Sequence, residues 1–341
     1  KYNISILMVK SIFVPSHKTY NMAVVGSDIK KAKAFLDDNK LVAIPTETVY
    51  GLAANALNEK AVLKIFTLKK RPAYNPLIIH IGAIEDLDKW AKNIPEKAYL
   101  LAKTFWPGPL TLVLEKKAMV PNIITAGKNT VGIRMPNHPV TLSLLKQLNF
   151  PLAAPSANPF MSISPTTAVH VEDYFGHKLP MILEGGPCEK GIESTIIGFE
   201  NGTPLLYRLG SISEETIEKI CGPLGRVKTI SKTPVAPGML AKHYAPKTPV
   251  ILTEKIGTHI LDTYKGKKIG LLFYENTTYN NTAYTIKILS KNGSLEEAAK
   301  NLYATLHRLD GMKLDLIIIQ KSPNHGLGKS INDRLERAAK K

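Results

Sequence analysis

The sequence predicts an α/β protein built as two domains, and three observations carry that expectation. Short apolar runs of strand length alternate with stretches in which apolar residues recur at helical spacing. This pattern breaks between Lys228 and Pro249, where Pro234, Pro237, Pro246 and Pro249 interrupt it, and then resumes. The 341 residues also exceed what one small domain needs. The expected division is a first domain over 22–227, a proline-rich linker over 228–249 and a second domain over 250–341.

Taken in order, residues 28 to 39 place Ile29, Ala32, Ala34, Phe35 and Leu36 at helical period, and Leu41 to Ile44 reads as a buried strand. The turn Pro45, Thr46, Glu47, Thr48 follows; its hydroxyls and carboxylate suit a helix N-cap with its capping partner, or a ligand site. Lys60 to Lys70 carries Ala61, Val62, Ile65, Phe66 and Leu68 as a helix that Pro72 stops. A helix is expected over Glu85 to Ala102, and Pro107, Gly108 and Pro109 turn the chain into a strand over Leu110 to Leu114. Val131 to Met135 is a further strand bearing Arg134, either as an edge residue or as a bidentate anion ligand. Leu152 to Pro155 runs into Ser156, Ala157 and Asn158, then Ser164 and Thr167 before a helix, which suits a phosphate-binding turn or an ordinary loop. Strands follow at Met181 to Leu183 and around Ile196. In the second domain, strands at Val250 to Leu252, Lys268 to Phe273 and Leu314 to Gln320 alternate with helices near 257–264, 295–308 and 330–339, which predicts a small doubly wound sheet.

Composition narrows the function. Lys plus Arg outnumber Asp plus Glu by 45 to 28, a formal charge of +17, so an anionic partner such as a nucleotide, pyrophosphate or RNA is expected. An aromatic content of 7% with no basic run interleaved with aromatics argues against single-strand stacking on RNA. Cys188 and Cys221 stand far apart without a CxxC, which excludes a four-cysteine zinc site and makes a reducing cytoplasm the expected compartment. The apolar run Ile4 to Val9 is too short to span a bilayer, so no membrane association is expected. Gly328, Lys329 and Ser330 mimic the end of a P-loop, but the required earlier glycine is Pro323, and no GxGxxG, HExxH or GxSxG occurs.

The stretch Lys69 to His80 concentrates chemistry. Lys69, Lys70 and Arg71 close the helix before Pro72, and Asn75, Pro76 and an apolar strand to His80 follow. One reading makes the cations a solvated helix end that complements the helix dipole. The other makes them phosphate ligands at the end of an exposed helix, where replacing Lys69 or Arg71 costs turnover and little stability.

Several motifs in fixed order decide between these. PTETVYGL at 45–52, KKRPAYNPLIIH at 69–80, WPGPLTLVL at 106–114, GIRMP at 132–136, APSAN at 154–158, GIESTII at 191–197 and YRLG at 207–210 resemble the YrdC family. APGMLAKHYAP at 236–246 and GLGKSINDRLERAA at 326–339 resemble its two-domain branch, the threonylcarbamoyl-adenylate synthases. The resemblance implies a YrdC-like twisted open mixed sheet with helices and a small Rossmann-like doubly wound C-terminal domain. It implies a nucleotidyltransferase reaction in which L-threonine, bicarbonate or CO2, and ATP give threonylcarbamoyl-AMP and pyrophosphate. The product would pass to a threonylcarbamoyl-transferase acting on tRNA; direct tRNA binding is compatible with the charge but not required.

Residue by residue, the resemblance places Lys69, Arg71, Asn75, Thr130, Ser156, Asn158, Ser164 and Arg208 at ATP. His243 and Tyr244 would act as a lid over the nucleotide, and Lys69 and Arg71 would be catalytic. Thr48, His80, Arg134, Ala154 and Ser194 would hold threonine, with Arg134 on its carboxylate. Mg2+ is expected through the ATP phosphates and not through protein ligands. Two departures from the family pattern are Pro159, Phe160 and Met161 after Asn158, and Leu209 between Arg208 and Gly210.

Overall fold

A computed structural model of the chain describes residues 23–226, 236–238 and 243–340. The run Ile4 to Val9, the greater part of the 228–249 linker and its Lys242 lie outside the described residues.

The first sheet is mixed and takes its strands from the first two-thirds of the chain: β1 (Val24–Gly26), β2 (Val42–Ile44), β3 (Gly51–Asn55), β4 (Ile78–His80), β5 (Leu110–Glu115), β6 (Thr130–Arg134), β7 (Leu152–Ala153), β8 (Met181–Leu183), β9 (Thr195–Glu200), β10 (Thr203–Arg208) and β11 (Gly225–Arg226). Their spatial order is β1-β8-β2-β3-β7-β4-β6-β5-β9-β10-β11. Two registers matter for the site. His80 at the end of β4 stands beside Arg134 at the end of parallel β6, and antiparallel β7 brings Leu152 beside His80. β6 lies between β4 and β5, so Arg134 is on an interior strand and the edge-residue alternative fails.

The helix Glu59–Lys69 forms as its spacing demands. Asn58 caps it by accepting a hydrogen bond from the Ala61 amide at 3.0 Å, and Ala61, Val62, Ile65 and Phe66 face the core. Lys70 ends it in the left-handed region at φ 52° and is exposed, ahead of Pro72. Two other expectations are corrected. The helix expected over Glu85 to Ala102 is a short turn at Ile84–Asp86, a helix Leu87–Trp90 and a helix Glu96–Phe105, because Pro95 forbids continuation and starts the last of these. No helix follows Thr46: its hydroxyl donates to the Val49 carbonyl at 2.6 Å and accepts from the Thr48 and Val49 amides, which makes a hydroxyl-closed turn into β3.

The second sheet is parallel throughout, with β12 (Val250–Thr253), β13 (Ile269–Phe273), β14 (Thr285–Ile288) and β15 (Leu316–Gln320) in the order β12-β15-β13-β14. β14 escaped the sequence reading because its half-buried Thr-Ile-Lys-Ile run lacks a continuous apolar stretch. The helix Thr258–Thr263 packs Leu261 against Leu271 and Ile318 on one face. Helices Leu295–Asp310 and Leu327–Ala339 cover the other face through Leu302, Leu306, Ile331 and Leu335 against Leu272, Ile317 and Ile319. Among the described residues no helix is long and apolar enough to cross a membrane.

The two sheets meet through polar as well as apolar contacts. His307 of the second unit stacks on His170 of the first, with ring centroids 3.9 Å apart, and its Nε2 lies 3.2 Å from the Ser164 carbonyl. Tyr174 closes over the pair at 5.7 Å from His307, with Arg308, Asp173 and Asp310 nearby. Burial, then the charges of His307 and Arg308, hold His170 down to about 4, and burial lowers His307 as well. These rings bind fewer protons folded than unfolded, so their contribution is full above the ordinary histidine value of about 6.5 and is lost as pH falls through the depressed values. The urea midpoint is therefore expected to be lower at about pH 5 than at about pH 7.5, with His170→Phe shrinking that difference. Equal pH sensitivity in wild type and variant denies this role to the stacked pair.

Candidate functional site

The strand ends of β4, β6, β7 and β10 converge on a buried cavity of about 60 Å3. Thr48, His80, Arg134, Ala154 and Ser194 line it, and so do Arg71, Ser156, Arg208, His243 and Tyr244. Every residue assigned to threonine thus meets half of the ATP set in one place.

Arg134 is the best-defined group. Its Nη2 lies 2.8 Å from Glu47 Oε1 and donates to the Thr48 hydroxyl at 2.9 Å, and the whole cluster is buried. Glu47 is therefore the counter-ion of a buried arginine and not a helix cap. Arg134 Nε and His80 Nδ1 are buried and make no hydrogen bond within the described protein. Burial, then the Arg134 charge, pulls His80 down to about 3, so at neutral pH it is an uncharged ring. These two atoms, side by side at the cavity, can take a polar ligand or water as partner.

Lys69 overturns the exposed-helix expectation. It is 1% exposed, and its Nζ donates to the Ser156 carbonyl at 2.5 Å and to the Asn158 carbonyl. Arg71 is also buried; it donates to the Asn75 side-chain oxygen at 2.7 Å and to the Pro76 carbonyl at 2.8 Å. Burial and the Arg71 charge push the Lys69 ammonium well below its ordinary value. Burial likewise lowers Arg71, against the opposing influence of Tyr244. Neither cation forms an ion pair with a carboxylate of the described residues. Lys70 alone of the three remains in solvent.

The loop after β7 is organised by these contacts. Phe160 donates its amide to the Lys69 carbonyl at 2.8 Å, and Met161, at φ 70°, accepts from the Ala245 amide at 2.8 Å. Pro159, Phe160 and Met161 thereby tie the end of the helix Glu59–Lys69 to the segment carrying His243 and Tyr244, and Phe160 meets the His243 ring edge-on at 6.0 Å. Asn158 spends its amide on the Pro159 and Ser162 carbonyls, and its Oδ1 is without a partner, as is Asn75 Nδ2.

Lys69, Asn75, Asn158 and Ser164 stand behind the cavity wall. Ser164 is fully buried and donates to Glu193 Oε1 at 2.7 Å. The helix N-terminus beyond it is taken by Thr167, which caps the His170 amide, so the phosphate-turn reading does not hold for that helix end. Thr130 is not brought to the cavity: it opens β6 opposite Glu115, about 13 Å along the strand from Arg134.

Arg208 donates to the Ser194 carbonyl at 2.8 Å, to the Ser194 hydroxyl at 3.1 Å and to the Pro237 carbonyl at 3.1 Å. The linker residues Pro237 and Gly238 thus reach the cavity directly. A side chain at Gly238, whose φ is 80°, would strike Tyr244 and Arg208 within 3 Å, so only glycine fits there. Tyr244 is itself left-handed at φ 62° and buried, and its amide donates to His243 Nδ1 at 3.0 Å.

One lining residue was missed altogether. Glu193, within GIESTII, faces the cavity and accepts from Ser164, Tyr303 and Arg334. A carboxylate in a cationic site is unexpected from sequence, and its arginine lies 141 residues further on.

Fold and site together define an α/β protein with a cavity lined by arginines between strand ends and the segment that joins its two sheets. The family model described as "Telomere recombination", for Sua5, YciO and YrdC proteins, matches residues 34–210. The model described as "Threonylcarbamoyl-AMP synthase, C-terminal domain" matches residues 212–340. The chain belongs to this Sua5/YrdC family. A threonylcarbamoyl-AMP synthase of Pyrococcus abyssi is 43% identical, covering 91% of this chain and 94% of the relative. One from Bacillus subtilis is 42% identical, covering 91% and 92%. The crystal structure of P. abyssi Sua5 complexed with L-threonine superposes with a TM-score of 0.86 at 40% identity, over 93% of this chain and 98% of that one.

Lys69→Ala removes a buried ammonium from two carbonyls and leaves a cavity, so it is expected to lower unfolding free energy by about 2 kcal/mol or more. Urea denaturation measures this; a variant as stable as wild type contradicts the buried geometry.

Proposed function

We propose that this chain is an L-threonylcarbamoyladenylate synthase, which condenses L-threonine, bicarbonate or CO2, and ATP to threonylcarbamoyl-AMP and pyrophosphate as the first step of threonylcarbamoyladenosine formation on tRNA. The observation that carries the reading is the pairing of a buried arginine bearing an unmet donor with cations that have no carboxylate of their own. Arg134 suits the carboxylate of an amino acid, and Arg71, Arg208 and the adjoining Lys69 suit phosphates.

The chemistry asks for positioning of anions, not for a covalent nucleophile. Threonine's amine and bicarbonate form a carbamate with loss of water, and a carbamate oxygen attacks the α-phosphorus as pyrophosphate leaves. Thr48, His80, Ala154 and Ser194 set the threonine beside Arg134. Arg71 and Lys69 stabilise charge as it moves onto the leaving pyrophosphate. Ser156, Asn158, Ser164 and Asn75 flank the phosphates, and the backbone near Thr130 is the least supported member of the set.

A cavity of about 60 Å3 is far below the ~300 Å3 or more of a small-molecule site. ATP therefore enters only when the wall formed by Pro237, Gly238, His243 and Tyr244 moves off Arg208. A solved variant of P. abyssi Sua5 carries alanines at an adjacent His-Tyr pair, and His243-Tyr244 is the sole such pair in this sequence. Glu47 and Glu193 are each committed to an arginine, and among the described residues no group of His, Cys, Asp and Glu forms a metal site. We assign magnesium to the substrate, as Mg-ATP, because Mg2+ keeps several waters and is held mainly through substrate phosphates. We place the enzyme in the cytoplasm, handing its product to a threonylcarbamoyl-transferase.

Pyrophosphate release from ATP is expected to collapse when threonine or bicarbonate is omitted; undiminished release without threonine removes the assignment. Arg71→Ala is expected to reduce kcat/KM by about 100-fold or more, measured by the same assay. Arg134→Ala is expected to raise KM for threonine far more than KM for ATP, and the opposite split would exchange the two subsites.

A further inference from the structure

Glu193 poses an electrostatic problem. Its carboxylate faces the cavity that the reading above gives to a triphosphate, where an unneutralised negative charge opposes binding. The neutralising group comes from the other sheet. Arg334, on the helix Leu327–Ala339, is 1% exposed and donates from Nε to Glu193 Oε2 at 2.9 Å. Tyr303, on the helix Leu295–Asp310, donates its hydroxyl to the same oxygen at 2.9 Å and lies 3.1 Å from Oε1.

The arginine is fixed by its surroundings. Its Nη2 donates to the Leu209 carbonyl at 2.6 Å, its Nη1 pairs with Asp333, and the Tyr244 ring lies 5.0 Å from the guanidinium carbon. Ser330, one turn earlier on the same helix, donates to the Gly210 carbonyl at 2.8 Å. Gly210 packs so close to the Ser194 and Thr195 backbone that a side chain there would overlap it. The C-terminal helix therefore grips the chain immediately after Arg208. Burial raises the Glu193 carboxyl, but the Arg334 and Arg208 charges and the Ser164 hydroxyl outweigh it and hold the group at about 2.

We propose that Arg334 and Tyr303 are positioning residues for ATP use: they cancel and orient the Glu193 carboxylate, which in turn sets Ser164 and is kept from pairing with Arg208, whose charge then faces phosphate. The C-terminal domain is then an electrostatic part of the nucleotide site. This inference rests on the ATP-dependent reading and extends it to residues that touch no substrate.

The groups facing Glu193 are Ser164, Arg208, His243 and Tyr244 on the first side, and Tyr303, Asp333 and Arg334 on the second. With Arg334 removed, Asp333 keeps its pairing with Arg337, whereas Glu193 loses its ion pair and is the carboxylate expected to take up a proton as acid is added. The test uses the full-length chain with saturating threonine and bicarbonate, following pyrophosphate release as ATP is varied. Arg334→Met is expected to raise KM for ATP about tenfold or more with KM for threonine little changed, and the defect should shrink between about pH 8 and about pH 6 as Glu193 protonates. Adding Glu193→Gln to Arg334→Met should restore KM for ATP to within about threefold of wild type at every pH. Lys329→Ala, on the same helix but paired with Glu214 and Glu215, should leave KM for ATP unchanged. Tyr303→Phe, a mild change that retains the ring, should raise KM for ATP about threefold, and it decides the matter should Arg334→Met fail to fold. Folded variants with wild-type KM for ATP, or a double variant no better than Arg334→Met, overturn the proposal. Wild type is assayed first: without threonine-dependent release the reading of the site fails and this inference with it, whereas normal wild-type turnover with indifferent variants removes the inference alone.

Discussion

The structure depends on burying positive charge without neutralising it. Lys69, Arg71 and Arg208 are all shielded from solvent, and their donors go to main-chain carbonyls and to Asn75 and Ser194. Carbonyl dipoles lower the cost of desolvating a cation but leave its net charge in place. The loops that supply those carbonyls are therefore tied to the cations by hydrogen bonds. Ser156 and Asn158 converge on one ammonium, and Asn75 and Pro76 curl around one guanidinium. Arg134 differs, since Glu47 balances its charge locally, and it is correspondingly suited to a small carboxylate that adds to an existing pair.

Much of this was legible in the sequence where the cause is local. The helix Glu59–Lys69 followed from the spacing of Ala61, Val62, Ile65 and Phe66 and from Pro72, and the three strands read in the second domain were placed by their apolar runs. The ordered motifs brought most of the proposed ligands to one cavity. What failed was non-local. The burial of Lys69 depends on carbonyls 87 and 89 residues away, and no periodicity encodes that. Thr46 and Glu47 matched a capping pattern because hydroxyl-closed turns and helix caps use the same side chains. Thr130 was assigned with its motif, and the structure places it at the start of β6, outside the cavity lining.

The two sheets divide the work unevenly. The first supplies every side chain that lines the cavity up to Arg208, and the interdomain segment supplies the remaining wall at Pro237, Gly238, His243 and Tyr244. The second sheet places no residue in that lining, yet its helices hold Glu193, Ser164 and the Leu209-Gly210 backbone through Tyr303, His307, Arg334 and Ser330. The Gly-Lys-Ser run that imitates a phosphate loop belongs to this docking. Ser330 bonds the first sheet, Lys329 pairs with Glu215, and Gly328 lies against the Pro323 carbonyl.

The Glu193–Arg334 pair also has a history in time. Its two members are 141 residues apart, and at about 5–20 residues per second the ribosome needs on the order of 10 s to pass from one to the other. Once Arg226 has been added the first sheet has all its strands and its cavity cations, but Glu193 still has neither its arginine nor Tyr303. A nascent chain at that stage holds a carboxylate without its buried partner at the mouth of the would-be site. The charge balance around Glu193 is thus completed only when the last helix docks.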